Sequence, residues 1–132
     1  MAKKATKENS KFDYKTIKSF EDACKKENID PLLLPDVSMI LEEFRSPIIN
    51  AYKLLIIYKA INNGWVPDWN NWDQYKYYPW FRVTPGGVGF SCSDCDLTLT
   101  DAHVGSRLCF ESSEKCKYAA TQFIDIYKQF LL

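Results

Sequence analysis

Ser46-Pro47-Ile48-Ile49-Asn50-Ala51-Tyr52-Lys53-Leu54-Leu55-Ile56-Ile57-Tyr58-Lys59-Ala60-Ile61-Asn62-Asn63-Gly64 is the stretch that decides the fold. Ser46 can cap free amides, and Pro47 at a first helical position loses no hydrogen bond, so a helix is expected from about 47. Gly64 supplies the stop, near residue 63. Between these signals the apolar side chains leave little polar face, which predicts a helix covered on most sides and central to the fold.

Working outward toward the amino terminus, Ser19-Phe20-Glu21-Asp22 sets a hydroxyl three residues before a carboxylate, as in a capping box. A short helix is expected from there to near Asn28, with Phe20, Ala23 and Cys24 on its apolar face. Leu32, Leu33 and Leu34, bracketed by Pro31 and Pro35, read as an apolar connector pinned onto the core, and Asp36 to Phe44 as a further helical turn or two. Residues 1–14 are polar and lysine-rich, and are expected to form a flexible tail that docks at its end through Phe12 and Tyr14.

Toward the carboxyl terminus the period changes from helical to alternating. Trp80–Val83 and Val88–Cys92 flank Pro85-Gly86-Gly87 as in a hairpin, and Leu97–Thr100 and Arg107–Phe110 add two further runs. These predict a small antiparallel meander over about 78–111. Ser112 or Ser113 then caps a last helix, about 113–131, in which Cys116, Ala120, Phe123, Tyr127 and Phe130 form the stripe that packs on a sheet. The expected fold is α+β, a single domain over 15–132.

The 132 residues carry seventeen Lys and Arg against seventeen Asp and Glu, so no net field draws the chain toward a polyanion. The balance is uneven along the chain: residues 1–26 hold eight lysines and four acids, residues 27–52 five acids and Arg45 alone. The amino terminus lacks the apolar run of a signal peptide, and Ala51–Ile61 is too short for a membrane span. A cytoplasmic protein with no membrane partner is expected. Five cysteines in such a chain are read as reduced thiols.

Eight of the seventeen residues from Trp65 to Phe81 are aromatic, and all four tryptophans lie among them. Such side chains combine a large apolar face with a polar handle, and serve either as core packing or as a platform for a ligand. Trp65, Trp69, Trp72, Tyr75, Tyr77, Trp80 and Arg82 are the candidate partner-binding residues. Tyr75 and Tyr77 are one pleat period apart and share a face if both lie on a strand.

Cys92, Cys95, His103 and Cys109 are an alternative zinc set, giving a zinc-stabilised interaction module. Against it, Cys92 and Cys95 on a regular strand face opposite ways, and no glycine follows Cys95 to ease a knuckle turn. The primary reading therefore assigns no metal and no cofactor. Cys-x-x-Cys on an acidic strand also differs from a thioredoxin-like motif, which opens a helix. Asp94, Asp96 and Asp101 lack the calcium-loop pattern. His103 is the sole histidine and has no nucleophile elbow, phosphate loop or metalloprotease motif beside it, so no catalytic residue is assigned and the chain is read as non-enzymatic.

Single-stranded nucleic-acid binding is the second function class. Lys3, Lys4, Lys7 and Lys11 in the tail, with Lys76 and Arg82 among aromatic groups, resemble in kind the way single strands are held. The stretch Asp94–Asp101 carries three aspartates and no basic residue, which opposes a continuous basic groove.

Three stretches together carry a family resemblance. They are Ser19–Cys24; Gly64–Trp69 leading to Tyr77-Tyr78-Pro79-Trp80-Phe81; and Val104-Gly105-Ser106-Arg107-Leu108-Cys109-Phe110 with the helix Gln122–Lys128. The chain resembles, over nearly its whole length beyond the tail, a family of small uncharacterised proteins encoded by bacterial and prophage-like genomes. The resemblance implies a phage or mobile-element setting and brings no activity to any residue. The expected function is a binding or accessory role, chiefly toward another protein, through the aromatic loop or a sheet face.

Overall fold

A computed structural model describes residues 11–83, 90–102 and 104–132, with 90–94 by backbone alone. The fold is α+β: helices α1 (Phe20–Lys26) and α2 (Glu42–Asn62), strands β1 (Lys76–Val83) and β2 (Phe90–Thr98), and helices α3 (Ser113–Gln122) and α4 (Ile124–Leu131). Single 3-10 turns occupy Tyr14–Thr16 and Ser106–Leu108. Among the described residues, no helix is long and apolar enough to cross a membrane.

The caps form where local chemistry places them. Ser19 accepts from Asp22 N–H at the start of α1, and Ser112 accepts from Lys115 N–H at the start of α3. Helix α2 ends on Asn63 in the left-handed region at φ 48°, followed by Gly64 at φ 88°. Glycine is tolerated there because it has no Cβ to clash.

The start of α2 differs from expectation. The helix begins at Glu42, five residues before Pro47, which lies inside it. Pro47 removes one intrahelical bond, to the carbonyl four residues back. Glu42 and Glu43 in the first turn offset this by meeting the positive end of the helix dipole. Arg45 also ties the preceding loop, donating from Nε to Ile40 O at 2.8 Å and from Nη2 to Ser38 O at 3.3 Å.

Nor is α2 covered along its length. Its buried residues are Leu54, Ile57, Ala60, Ile61 and Asn62, all in the carboxyl-terminal half. The connector Leu32–Leu34 points into solvent rather than onto the core. Asp30 explains its course: its Oδ1 accepts from Leu32 N–H and its carbonyl from Leu33 N–H, so the chain turns outward there.

The meander is reduced to a ribbon. Strands β1 and β2 pair antiparallel from Lys76↔Thr98 to Val83↔Phe90, with a bulge at Ser93 between the pairs Trp80↔Asp94 and Phe81↔Cys92. The turn at 84–89 lies outside the described residues. The third run supplies the end of β2 through Leu97 and Thr98, and among the described residues the fourth meets the ribbon by a two-bond bridge between Tyr77 and Phe110, at 3.0 and 2.7 Å. Antiparallel pairing on that edge would next require an N–H from residue 79, which is proline, and the chain before Cys109 instead forms a 3-10 turn.

The last helix is likewise interrupted, at Phe123 (φ −110°, ψ 28°). Its stripe is continuous across the break: Cys116, Ala120, Phe123 and Tyr127 are buried and Phe130 is partly buried. The core joins these side chains to Ile17, Phe20, Ala23 and Cys24, to the buried end of α2, and to Phe110. Phe12 and Tyr14 pack on it from the amino-terminal side. The single Tyr118 hydroxyl proton is shared between Ile17 O at 2.8 Å and Lys15 O at 3.0 Å, fastening that segment to α3.

Asn62, 2% exposed, closes the arrangement. Its Nδ2 donates to Cys109 O at 3.0 Å and its Oδ1 accepts from Glu111 N–H at 3.1 Å. Asn62→Ala leaves the buried Cys109 carbonyl and the part-buried Glu111 N–H without this partner, and is expected to destabilise the protein by about 1–3 kcal/mol in urea unfolding. Trp72→Ala, at a site 71% exposed, should shift stability by less than about 0.5 kcal/mol.

Candidate partner-binding surface

The aromatic segment after Gly64 divides into a half-buried part and an exposed part. Its loop is fixed by its own polar side chains: Asp68 Oδ1 accepts from Asn70 N–H, Asn71 Oδ1 from Asp73 N–H, and Gln74 Oε1 from Asp68 N–H at 2.6 Å. Beneath it lies Lys76, fully buried. Its ammonium donates to the carbonyls of Asn71, Gln74 and Leu99 and sits 5.1 Å from the Trp69 ring centroid. Three carbonyls and a π face replace its hydration shell. The cation is thus used inside the protein and is not presented toward a phosphate.

Trp65 and Trp69 are half-buried and form one wall of an open groove of about 680 Å³. Leu55 and Tyr58 of α2, with Val66 and Pro67, add apolar surface, while Lys59 and Arg107 supply positive charge at the same end. Tyr58 lies above the ordinary phenol range, first because burial disfavours the phenolate and then through the nearby Cys109; a hydrogen bond with Asn62 partly opposes this.

Trp72, Tyr75, Trp80 and Arg82 are exposed, outside that groove. Tyr75 meets the half-buried Tyr77 edge-to-face, with centroids 6.3 Å apart, although only Tyr77 belongs to β1. Phe81 turns inward and packs against Tyr127 at 4.9 Å. The aromatic residues therefore do not form one platform.

An apolar stripe missing from the sequence-based set runs along α2 into the groove. Leu41 at its cap, then Phe44, Ile48 and Leu55, follow helical spacings of three, four and seven. They are 66%, 51%, 39% and 39% exposed. Neighbouring elements take other faces of α2: α1 sets Phe20 against Tyr52 and beneath Lys53, and α4 brings Gln129 to Ser46. The legible signal was the unbroken apolar character of the helix, which exceeds what so few layers can cover.

Of the zinc alternative, His103 and the Cys92 side chain lie outside the described residues. Cys95 Sγ lies 2.7 Å from Cys116 Sγ, a residue outside that set. Among the described residues no group of three His, Cys, Asp or Glu could hold a metal. Cys109 is fully buried, and burial pushes its thiol up to about 11, with Lys76 opposing. Of the proposed nucleic-acid lysines, Lys3, Lys4 and Lys7 lie outside the described residues and Lys11 is exposed. No family model, curated protein or solved structure matches the chain.

The Cys109 thiol is raised from 9.0 to about 11, so the folded state keeps a proton that the unfolded chain releases. Its contribution to stability is complete below pH about 9 and is lost as pH rises through about 11. Urea midpoints should fall across that window, and less steeply in Cys109→Ala; equal slopes would remove Cys109 as the cause.

Proposed function

We propose that this chain is a non-catalytic protein-binding module that receives an amphipathic helical segment of a partner along the exposed face of α2. The exposed stripe Leu41–Phe44–Ile48–Leu55 carries the reading. Large apolar side chains repeated at helical spacing on an uncovered face mark interaction surfaces when they are contiguous. From Leu41 to Leu55 the stripe spans about 21 Å at 1.5 Å per residue, room for about four turns of a partner helix.

Charge gives the partner its direction. Glu42 and Glu43 stand at one end of the stripe, Lys59 and Arg107 at the other, around the Trp65–Trp69 groove. A complementary segment carries Lys or Arg at the first end, Asp or Glu at the second, and apolar residues along one face. Trp65 and Trp69 supply the deeper anchoring pocket, where aromatic walls concentrate binding energy. An accessory role in a phage or mobile-element setting, as the family resemblance implies, accords with such a module.

A synthetic amphipathic helix of that charge order, titrated into the full chain, should shift tryptophan fluorescence and bind more tightly than its charge-reversed isomer. Phe44→Asp and Leu55→Asp should each weaken binding at least about tenfold, by removing apolar burial and placing a charge in the interface. Trp72→Ala should leave it unchanged. Equal affinity for both isomers, or an unaffected Phe44→Asp, would overturn the reading. A concentration-dependent dimer abolished by Phe44→Asp would reassign the face to a second copy of the chain.

A further inference from the structure

Two sulfurs approach too closely to be read as separate buried thiols. Cys95 on β2 and Cys116 on α3 place their Sγ atoms 2.7 Å apart. That is nearer to a covalent S–S distance of about 2.05 Å than to ordinary contact between unbonded sulfurs. The two residues come from different elements, twenty-one positions apart, so the approach is created by the packing of the ribbon on α3 and not by local chain geometry. We propose that Cys95 and Cys116 are an oxidation site that closes to a disulfide and bonds the β ribbon covalently to α3.

Accessibility orders the steps. Cys95 is half-buried and Cys116 is fully buried, so a small oxidant meets Cys95 first. With hydrogen peroxide as oxidant, the Cys95 thiolate attacks one peroxide oxygen. The O–O bond breaks, hydroxide leaves and takes up the thiol proton as water, and Cys95 carries a sulfenic acid. The Cys116 sulfur then attacks the Cys95 sulfur, the S–O bond breaks, and the second oxygen leaves as water with the remaining proton. Two electrons pass from the sulfurs to the peroxide, and two waters form. Reversal needs a dithiol reductant, which takes the same two electrons back through a mixed disulfide.

Only this pair is placed for the reaction among the described cysteines. Cys109 Sγ is directed to Gly105 O at 3.7 Å, and Cys24 is buried in the core beside Ala23 and Phe20. Closure would link β2 to α3 at Cys95, whose ladder partner is Pro79, on the segment of the ribbon between the Tyr77–Phe110 bridge and the Ser93 bulge. Unfolding of the oxidised chain would then have to begin from a ribbon and helix that cannot separate.

The test uses the full chain, reduced, treated with peroxide, alkylated, and digested without reductant at both aspartate and lysine or arginine sites. Cleavage at Asp94 and Asp96 isolates Cys95 from Cys92, and cleavage at Lys115 and Lys117 isolates Cys116 from Cys109. Mass spectrometry should find the two short peptides joined, lighter by two hydrogens than their sum. Cys24 and Cys109 should be alkylated only on unfolding. The oxidised chain should also melt several degrees above the reduced chain, a difference absent in Cys95→Ser. Cys95 and Cys116 remaining fully alkylatable after peroxide, or Cys116 joined to Cys92 in place of Cys95, would overturn the proposal. Should Cys95→Ser fail to fold, the peptide result alone decides it.

Discussion

The amide of Asn62 sets the rest of the molecule in place. A two-stranded ribbon buries too little surface to persist alone in water, and among the described residues β1–β2 makes a single bridge to further chain. Asn62 compensates from the end of α2 by satisfying the Cys109 carbonyl and the Glu111 N–H as an additional backbone segment would. The residue between them, Phe110, is thereby held in the core and paired with Tyr77, at the root of the ribbon. A side chain from a helix thus does the work of the sheet edge that Pro79 prevents.

Lys76 extends the same principle to the aromatic loop. Burying an ammonium is unfavourable unless carbonyls replace its water, and the loop supplies two of them while the chain leaving β2 supplies the third. The loop is consequently tied to both ends of the ribbon's base, and Trp69 is kept over the cation. This fixes the wall of the groove into which the α2 stripe runs. The surface proposed for a partner is built on rigid elements, which lowers the ordering entropy of binding.

Exposure of the amino-terminal half of α2 follows from the same economy of layers. The core is made where α1, α3 and α4 meet the Leu54–Asn62 end of the helix, and nothing described covers the Leu41–Phe44–Ile48 face. Arg45 and the Asp30 and Asp36 side chains satisfy the backbone of the preceding loop, leaving its leucines, Met39 and Ile40 outward. Polar groups hold this region and apolar groups face solvent, the inverse of an ordinary loop.

Local chemistry made much of the fold readable from the sequence. Ser19 and the pair Ser112-Ser113 announce caps, Gly64 a stop, and the change from helical to alternating period an α+β chain, because each depends on residues within a turn of one another. Ser46 and Pro47 misled, since the helix starts upstream at Glu42 without a side-chain cap, where Glu42 and Glu43 meet its dipole and Arg45 holds the preceding loop. The candidate aromatic residues were legible as a group but not their division, with Trp65 and Trp69 in the groove, Tyr77 packed against the core and Trp72 exposed. What only the tertiary structure decided is which polar groups are inside and which apolar groups are outside: Asn62 and Lys76 buried, Phe44 and Leu55 exposed, Cys95 against Cys116. Those outcomes turn on partners 21 to 49 positions away or on whether a further layer packs over a face, and solvation of a side chain is a property of the whole packing around it.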